Sequence, residues 1–255
     1  MQKLDIVIWL TATVLVSLLV YLIYSYIKGL KGSPRELFML YVSKIIEYAI
    51  YGSINMSLIL YLSSDCGLGD ISAGTFIGVW SMALTLVMIF VGAVCDAIGI
   101  KKTLIIGIVF LIFSRLVMPF TNNVVIAAIF GFLPMAVGTA ILGPVLSVGI
   151  KRFTTTEGAA MGFALFYTLM NVGWALGGII FDTVRGIFGE HNIVPLPVIG
   201  TGISTYQIIF LVGLVLSIPN LLIILLMRDR VRMTDNKGVV FDPPGVQYTG
   251  NMSTV

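Results

Sequence analysis

Charge is scarce in this sequence: Asp, Glu, Lys and Arg together make up 11% of 255 residues, whereas soluble domains carry about a quarter. With 58% hydrophobic residues and a mean hydropathy of +1.05, the chain cannot hide its apolar surface in a water-soluble fold and belongs in a bilayer. The net charge of +3 is too small to imply nucleic acid, so the basic residues matter only through where they fall. The two cysteines, Cys66 and Cys95, have no metal-ligand spacing and give no disulfide framework. With one histidine, His191, a His-based metal site has little to build on. No G-x-x-x-x-G-K-[ST] stretch is present, so an ATPase is not expected in this chain. No Ser/His/Asp set, metal-ligand pair or paired midplane acids stand out either, and neither an enzyme nor a cofactor is expected.

What the sequence has in quantity is long apolar runs. A membrane-crossing helix needs about 20 apolar residues. Seven stretches qualify: 5–27, 37–62, 73–97, 103–120, 123–150, 158–182 and 204–227. None alternates in the manner of a barrel strand, so an all-α polytopic bundle is expected. The first stretch reads as a retained helix rather than a signal peptide. Its apolar core exceeds the usual ~7–15 residues and no A-x-A-like site follows. The expected organisation is an extra N-terminal helix (1–30), a six-helix bundle (31–230) and a polar, Pro- and Gly-containing tail or linker (231–255) without fixed structure.

Basic residues orient the bundle, because short cytosolic loops collect Lys and Arg. Lys28, Lys31 and Arg35, then Lys101 and Lys102, then Lys151 and Arg152, then Arg228, Arg230, Arg232 and Lys237 occupy alternate connections. The connections between them hold almost no net positive charge. This places the N-terminus outside and the tail in the cytosol; the identity of the membrane is not encoded.

One cytosolic connection reads GAVCDAIGIKK. Gly92 and Asp96 share a face at the end of one helix, Gly99 permits a tight reversal, and Lys101 and Lys102 anchor the loop. The bland reading is a capped turn, in which glycine admits a close helix neighbour and the aspartate accepts hydrogen bonds from a helix N-terminus. The pattern G-x-x-x-D-x-x-G-x-K-K resembles the signature loop of the major facilitator superfamily, usually G-x-L-A-D-R-x-G-R-K/R-x. Ala97 and Ile100 stand where that family usually has arginines, and its fourth-helix arginine has no counterpart in LPMAVGTAILGP, which carries Pro134. The resemblance implies that 37–227 form the N-terminal six-helix half of a transporter. It also implies that Gly92, Asp96, Gly99, Lys101 and Lys102 form a gating loop, with Asp96 bonding to a second half and releasing it on switching.

Polar residues inside the spans are the other candidates, because in a membrane they face the bundle interior by default. SKIIEYAIYGSIN sets Lys44, Glu47, Tyr48, Tyr51 and Asn55 in one stripe. It loosely resembles the E-x-x-E-R-F-x-Y-Y-G motif of proton-coupled oligopeptide transporters, with the spacing off by one and the arginine missing. The alternatives are a substrate or proton site, with Glu47 as the carrier, or a Lys44–Glu47 i,i+3 pair with the lysine snorkelling. MGFALFYTLMNVGWALGGIIFD carries Tyr167, Asn171, Trp174 and Gly178 on one face, and its glycines suit helix packing. For Asn171 the alternatives are a ligand contact and a bond to backbone. Gly74, Gly78, Gly138 and Gly143 are expected to serve packing or hinges. Arg115 either snorkels outward or contacts an anionic group, and Asp182 pairs with Arg185.

Two functions remain. The first is secondary active or facilitative transport of a small solute by alternating access, with a proton as a candidate coupling ion for symport. A second six-helix half would come from the same chain in a longer protein, a homodimer or a partner chain. The second is a non-transporting structural or assembly subunit built on half a transporter fold. Peptides or amino acids fit the oligopeptide-like fragments better than sugars.

Overall fold

The computed structural model describes residues 13–14, 17, 20–21, 24–26, 28–190, 192–195, 202–236 and 238–242. The expected first span, 5–27, lies mostly outside them, as do His191 and 243–255. Among the described residues, six helices are long and apolar enough to cross a membrane. They are α1 (Arg35–Leu60, extended by a π turn to Asp65), α2 (Asp70–Ile98), α3 (Ile100–Val117), α4 (Leu133–Phe153, in a span that begins at Val124), α5 (Ala159–Phe188) and α6 (Thr205–Leu226). This is an integral, multi-pass membrane protein.

Short connections make successive helices run in opposite directions. Helix α1 packs on α5 and α6, α4 packs on α2 and α3, and α3 packs on α6. Exchanging α1 with α4, α2 with α5 and α3 with α6 reproduces the same list. The bundle therefore has the pattern of two three-helix repeats, the second inverted relative to the first.

Close approach of α1 and α5 depends on glycine. A Cβ on Gly173 would sit 2.6 Å from Tyr48 Cβ and 2.9 Å from the Ile45 carbonyl oxygen. One on Gly177 would meet the Ala49 carbonyl at 2.8 Å and Gly52 Cα at 3.0 Å. Gly138 likewise brings α4 against α3 at Leu111 and the Gly107 carbonyl. Other glycines expected to serve packing or hinges face open space among the described residues. Gly74, Gly78, Gly92 and Gly143 have no atom within 4 Å of an added Cβ, because the faces of α2 that carry the first three meet no other helix among the described residues.

Helix α2 meets α4 through Trp80, which packs on Phe132 and donates its indole N–H to the Phe132 carbonyl at 2.7 Å. That carbonyl lies in the π segment Ala127–Phe132, where the regular ladder is interrupted. Outside the membrane there are two hairpins, β1–β2 (Ile193–Pro195, Gly202–Ser204) and β3–β4 (Val231–Thr234, Gly238–Phe241). The second corrects the expectation of an unstructured tail for 231–241. Arg230, at φ 62°, turns the chain from α6 into β3, and Val231 is buried against the bundle.

Candidate functional site

The stripe on α1 divides between two surroundings. Glu47, 5% exposed, turns toward α3 and α6 and meets Arg115, 1% exposed. Arg115 donates through one guanidinium nitrogen to Glu47 Oε1 at 2.5 Å and through the other to Glu47 Oε2 at 3.4 Å. The second nitrogen also donates to Ser217 Oγ, which passes its own proton to the Gly213 carbonyl. Asn220 adds a bond from Nδ2 to Glu47 Oε2 at 3.2 Å. A forked guanidinium matched to a carboxylate is the geometry that best compensates two charges taken out of water. Arg115 therefore does not snorkel outward, and the anionic group it contacts is the Glu47 carboxylate within the bundle. Ser217 and Asn220 were not anticipated, although two polar residues within VLSIPNLL were a visible signal.

Lys44 goes the other way. It forms no pair with Glu47, contrary to one of the two expectations. Its ammonium lies 3.8 Å from the Tyr48 ring centroid and 3.9 Å from that of Phe166 on α5. The aromatic wall continues along the α1–α5 seam: Tyr51 packs edge-on to Trp174 at 5.4 Å, and Tyr48 to Trp174 at 6.5 Å. Tyr167 is 53% exposed beside Phe166. Asn171, exposed on the same helix, donates to the Tyr167 carbonyl at 3.0 Å, the backbone alternative raised for it. Asn55 is half-buried one turn beyond Tyr51. The structure thus brings Lys44, Tyr51, Trp174 and Tyr167 to one seam and puts Glu47 and Arg115 into the bundle core.

At the C-terminal end of α2, Gly99 alone separates α2 from α3. Its φ of 89° lies in the left-handed region, its N–H donates to the Cys95 carbonyl, and its own carbonyl receives the Thr103 N–H and hydroxyl. Asp96 is exposed and makes no hydrogen bond among the described residues; Lys102 is exposed and Lys101 half-exposed.

A family model described as Major Facilitator Superfamily matches residues 40–244. The chain belongs to the major facilitator superfamily. No curated protein matches the sequence. Among solved structures, a POT family transporter in complex with 5-aminolevulinic acid is similar with a TM-score of 0.64 at 18% identity, over 76% of this chain and 38% of that one. A mutant peptide transporter POT in complex with alafosfalin gives a TM-score of 0.62 at 18% identity, over 75% and 38%. At that identity the likeness is one of fold, and this chain spans well under half the length of those transporters.

This major facilitator chain is also tied together where α1 begins and where α4 and α6 end. Glu36, fully buried at the start of α1, accepts from Arg228 Nε at 2.7 Å and Nη2 at 2.9 Å after the end of α6. That bond raises the Arg228 pKa. Arg152, ending α4, donates to the Val231 carbonyl at 2.8 Å and to Asp242 at 2.5 Å. Asp235 accepts from the Thr156 N–H and hydroxyl at 2.9 and 2.8 Å, and these bonds, the backbone one foremost, lower its pKa. At the opposite end Arg185 pairs with Glu190, not with Asp182 as expected, because Glu190 follows the helix and can fold back to it.

Proposed function

We propose that this chain is one six-helix half of a secondary transporter that moves a small solute by rocking against a second six-helix half. The observation that carries this reading is the uneven cover of the helices. Only 11% of the apolar stretch of α2 and 17% of that of α5 is buried, against 50% for α3 and 56% for α1. The exposed faces of α2 and α5 hold Ser72, Thr75, Ser81, Thr85 and Asp96, and Thr168, Asn171, Asp182 and Thr183. Lipid favours neither the carboxylates nor the amide. A second half covering α2 and α5 would enclose the seam of Lys44, Tyr51, Asn55, Tyr167, Asn171 and Trp174 as one wall of a midplane cavity. Gly92, Asp96, Gly99, Lys101 and Lys102 would then form a latch whose free carboxylate binds the second half in one state only. Short cytosolic loops rich in Lys and Arg support an outside N-terminus and a cytosolic β3–β4 hairpin.

Glu47 does not suit the role of proton carrier. Neutralising it would strand Arg115 as a buried, uncompensated charge, at a cost of about 3–5 kcal/mol. The reading therefore favours transport driven by the solute gradient, or coupling through groups outside that pair.

The test is the mass and composition of the detergent-extracted complex, followed by solute uptake into proteoliposomes. A second six-helix half, or two copies of this chain, together with uptake that Asp96→Ala abolishes, supports the transporter. Recovery within an assembly of unrelated proteins, with no uptake by well-folded material, leaves a structural subunit instead.

A further inference from the structure

We propose that Lys44 is the anchor for the carboxylate of a monoanionic solute, held at the cytosolic half of the α1–α5 seam. The proposal rests on the transport reading for its biological meaning but on separate observations. Lys44 is 2% exposed. It lies about 13 Å along α1 from Arg35, at ~1.5 Å rise per residue, within the membrane-length span Arg35–Asp65. Its ammonium has three N–H donors. None of them meets a carboxylate, carbonyl or hydroxyl among the described residues, and its only partners are the faces of Tyr48 and Phe166.

Ring faces attract a cation but accept no conventional hydrogen bond, so the lysine is stabilised without being neutralised. The other buried basic residue in these spans has its charge matched by a carboxylate: Arg115 donates through both terminal nitrogens to Glu47 and through one of them to Ser217, with only Nε left without a partner. Among the described residues no counter-ion completes Lys44, and its neighbour Glu47 is committed elsewhere. Lys44 also stands at the seam that continues to exposed Tyr167, whereas Arg115 is sealed among α1, α3 and α6. A single ammonium, with no second cation in hydrogen-bonded reach, balances one negative charge. The rings of Tyr48, Phe166, Tyr51 and Trp174 would pack against a flat or apolar body attached to it. The oligopeptide-type motif that the helix resembles has no lysine, so this assignment comes from the placement of Lys44 alone.

The test uses the full chain in lipid nanodiscs and two probes of one shape, benzoate and benzamide, with calorimetric titration. Benzoate is expected to bind at least about tenfold more tightly, the scale of one charge-assisted hydrogen bond. Lys44→Gln should remove the preference, and Lys44→Arg should retain it. Equal binding of the two probes to the wild-type chain, absence of binding by both included, overturns the proposal, as does a preference that survives in folded K44Q. The wild-type comparison decides even where K44Q does not fold. Uptake in proteoliposomes separates the two readings. Solute uptake indifferent to K44Q removes the anchor and leaves transport, whereas a Lys44-dependent preference for benzoate without uptake of any solute does the reverse.

Discussion

Lys44 and Glu47 stand three residues apart on one helix, close enough to pair, yet they end in opposite surroundings. Glu47 meets a forked guanidinium and an amide from two other helices, and the guanidinium in turn donates to Ser217. Lys44 meets two aromatic rings and no acceptor. An i,i+3 pair on a solvated helix is worth only about 0.2–0.5 kcal/mol. A bidentate partner in a low-dielectric core outweighs that, so the carboxylate follows Arg115 and the lysine is left without an anion. The lesson is that two charges of equal rarity in a membrane can be one structural and one available. What separates them is the company each keeps, not its depth.

The comparison breaks most visibly on removing half of the buried pair. Glu47→Ala or Arg115→Ala should cost about 3–5 kcal/mol, whereas replacing both with leucine should cost far less or stabilise. Reversible unfolding in mixed micelles measures this, and a single mutant as stable as the wild type would deny the pair its structural role. Next in size is the α1–α5 contact on which the seam depends. Gly173→Ala would drive a methyl into Tyr48 and the Ile45 carbonyl and should destabilise by about 1–3 kcal/mol. Gly78→Ala, with open space around it, should be neutral or gain up to about 1 kcal/mol from helix propensity. Melting temperatures of the two variants side by side test the contrast.

Lys44→Met sharpens the comparison from the other side. Removing an uncompensated charge from hydrocarbon depth, less the lost ring contacts, should stabilise the chain by about 1 kcal/mol, opposite in sign to Glu47→Ala. The same micelle unfolding reads the sign directly. The smallest effect lies at the β3–β4 hairpin. Because Asp235 has a lowered folded pKa, its tie to Thr156 contributes fully above the ordinary aspartate range and is lost as pH falls through the lower folded value. Amide protection in β3–β4, taken relative to the intrinsic exchange rate at each pH, should therefore fall in acid, and Asp235→Asn should flatten that dependence.

Much of the architecture was legible. The six spans found begin and end within a few residues of the apolar runs, because hydrocarbon admits only long helices with satisfied backbones. The loop GAVCDAIGIKK and the family it resembles were legible for the same local reason: Gly99 needs its left-handed backbone whatever surrounds it. The glycines of α5 were read as packing positions and are so at Gly173 and Gly177. At Gly74, Gly78 and Gly92 no neighbour approaches among the described residues, since a glycine permits contact without supplying a partner. The hairpin at 231–241 was obscured by its polar composition, although Val231, Val239 and Val240 flank a turn ending at Gly238.

Composition and the length of the apolar runs by themselves determined that this is a polytopic helical membrane protein, because burial in lipid is set by each segment's own polarity, and the loop GAVCDAIGIKK carried the likeness to the major facilitator superfamily. Tertiary structure alone decided which charges neutralise each other. Arg115 lies 68 residues from Glu47, and Ser217 and Asn220 more than 100 residues beyond Arg115 or Glu47. No local pattern encodes such meetings. Electrostatic compensation depends on distances of a few ångströms between helices, and those exist only once the helices have packed.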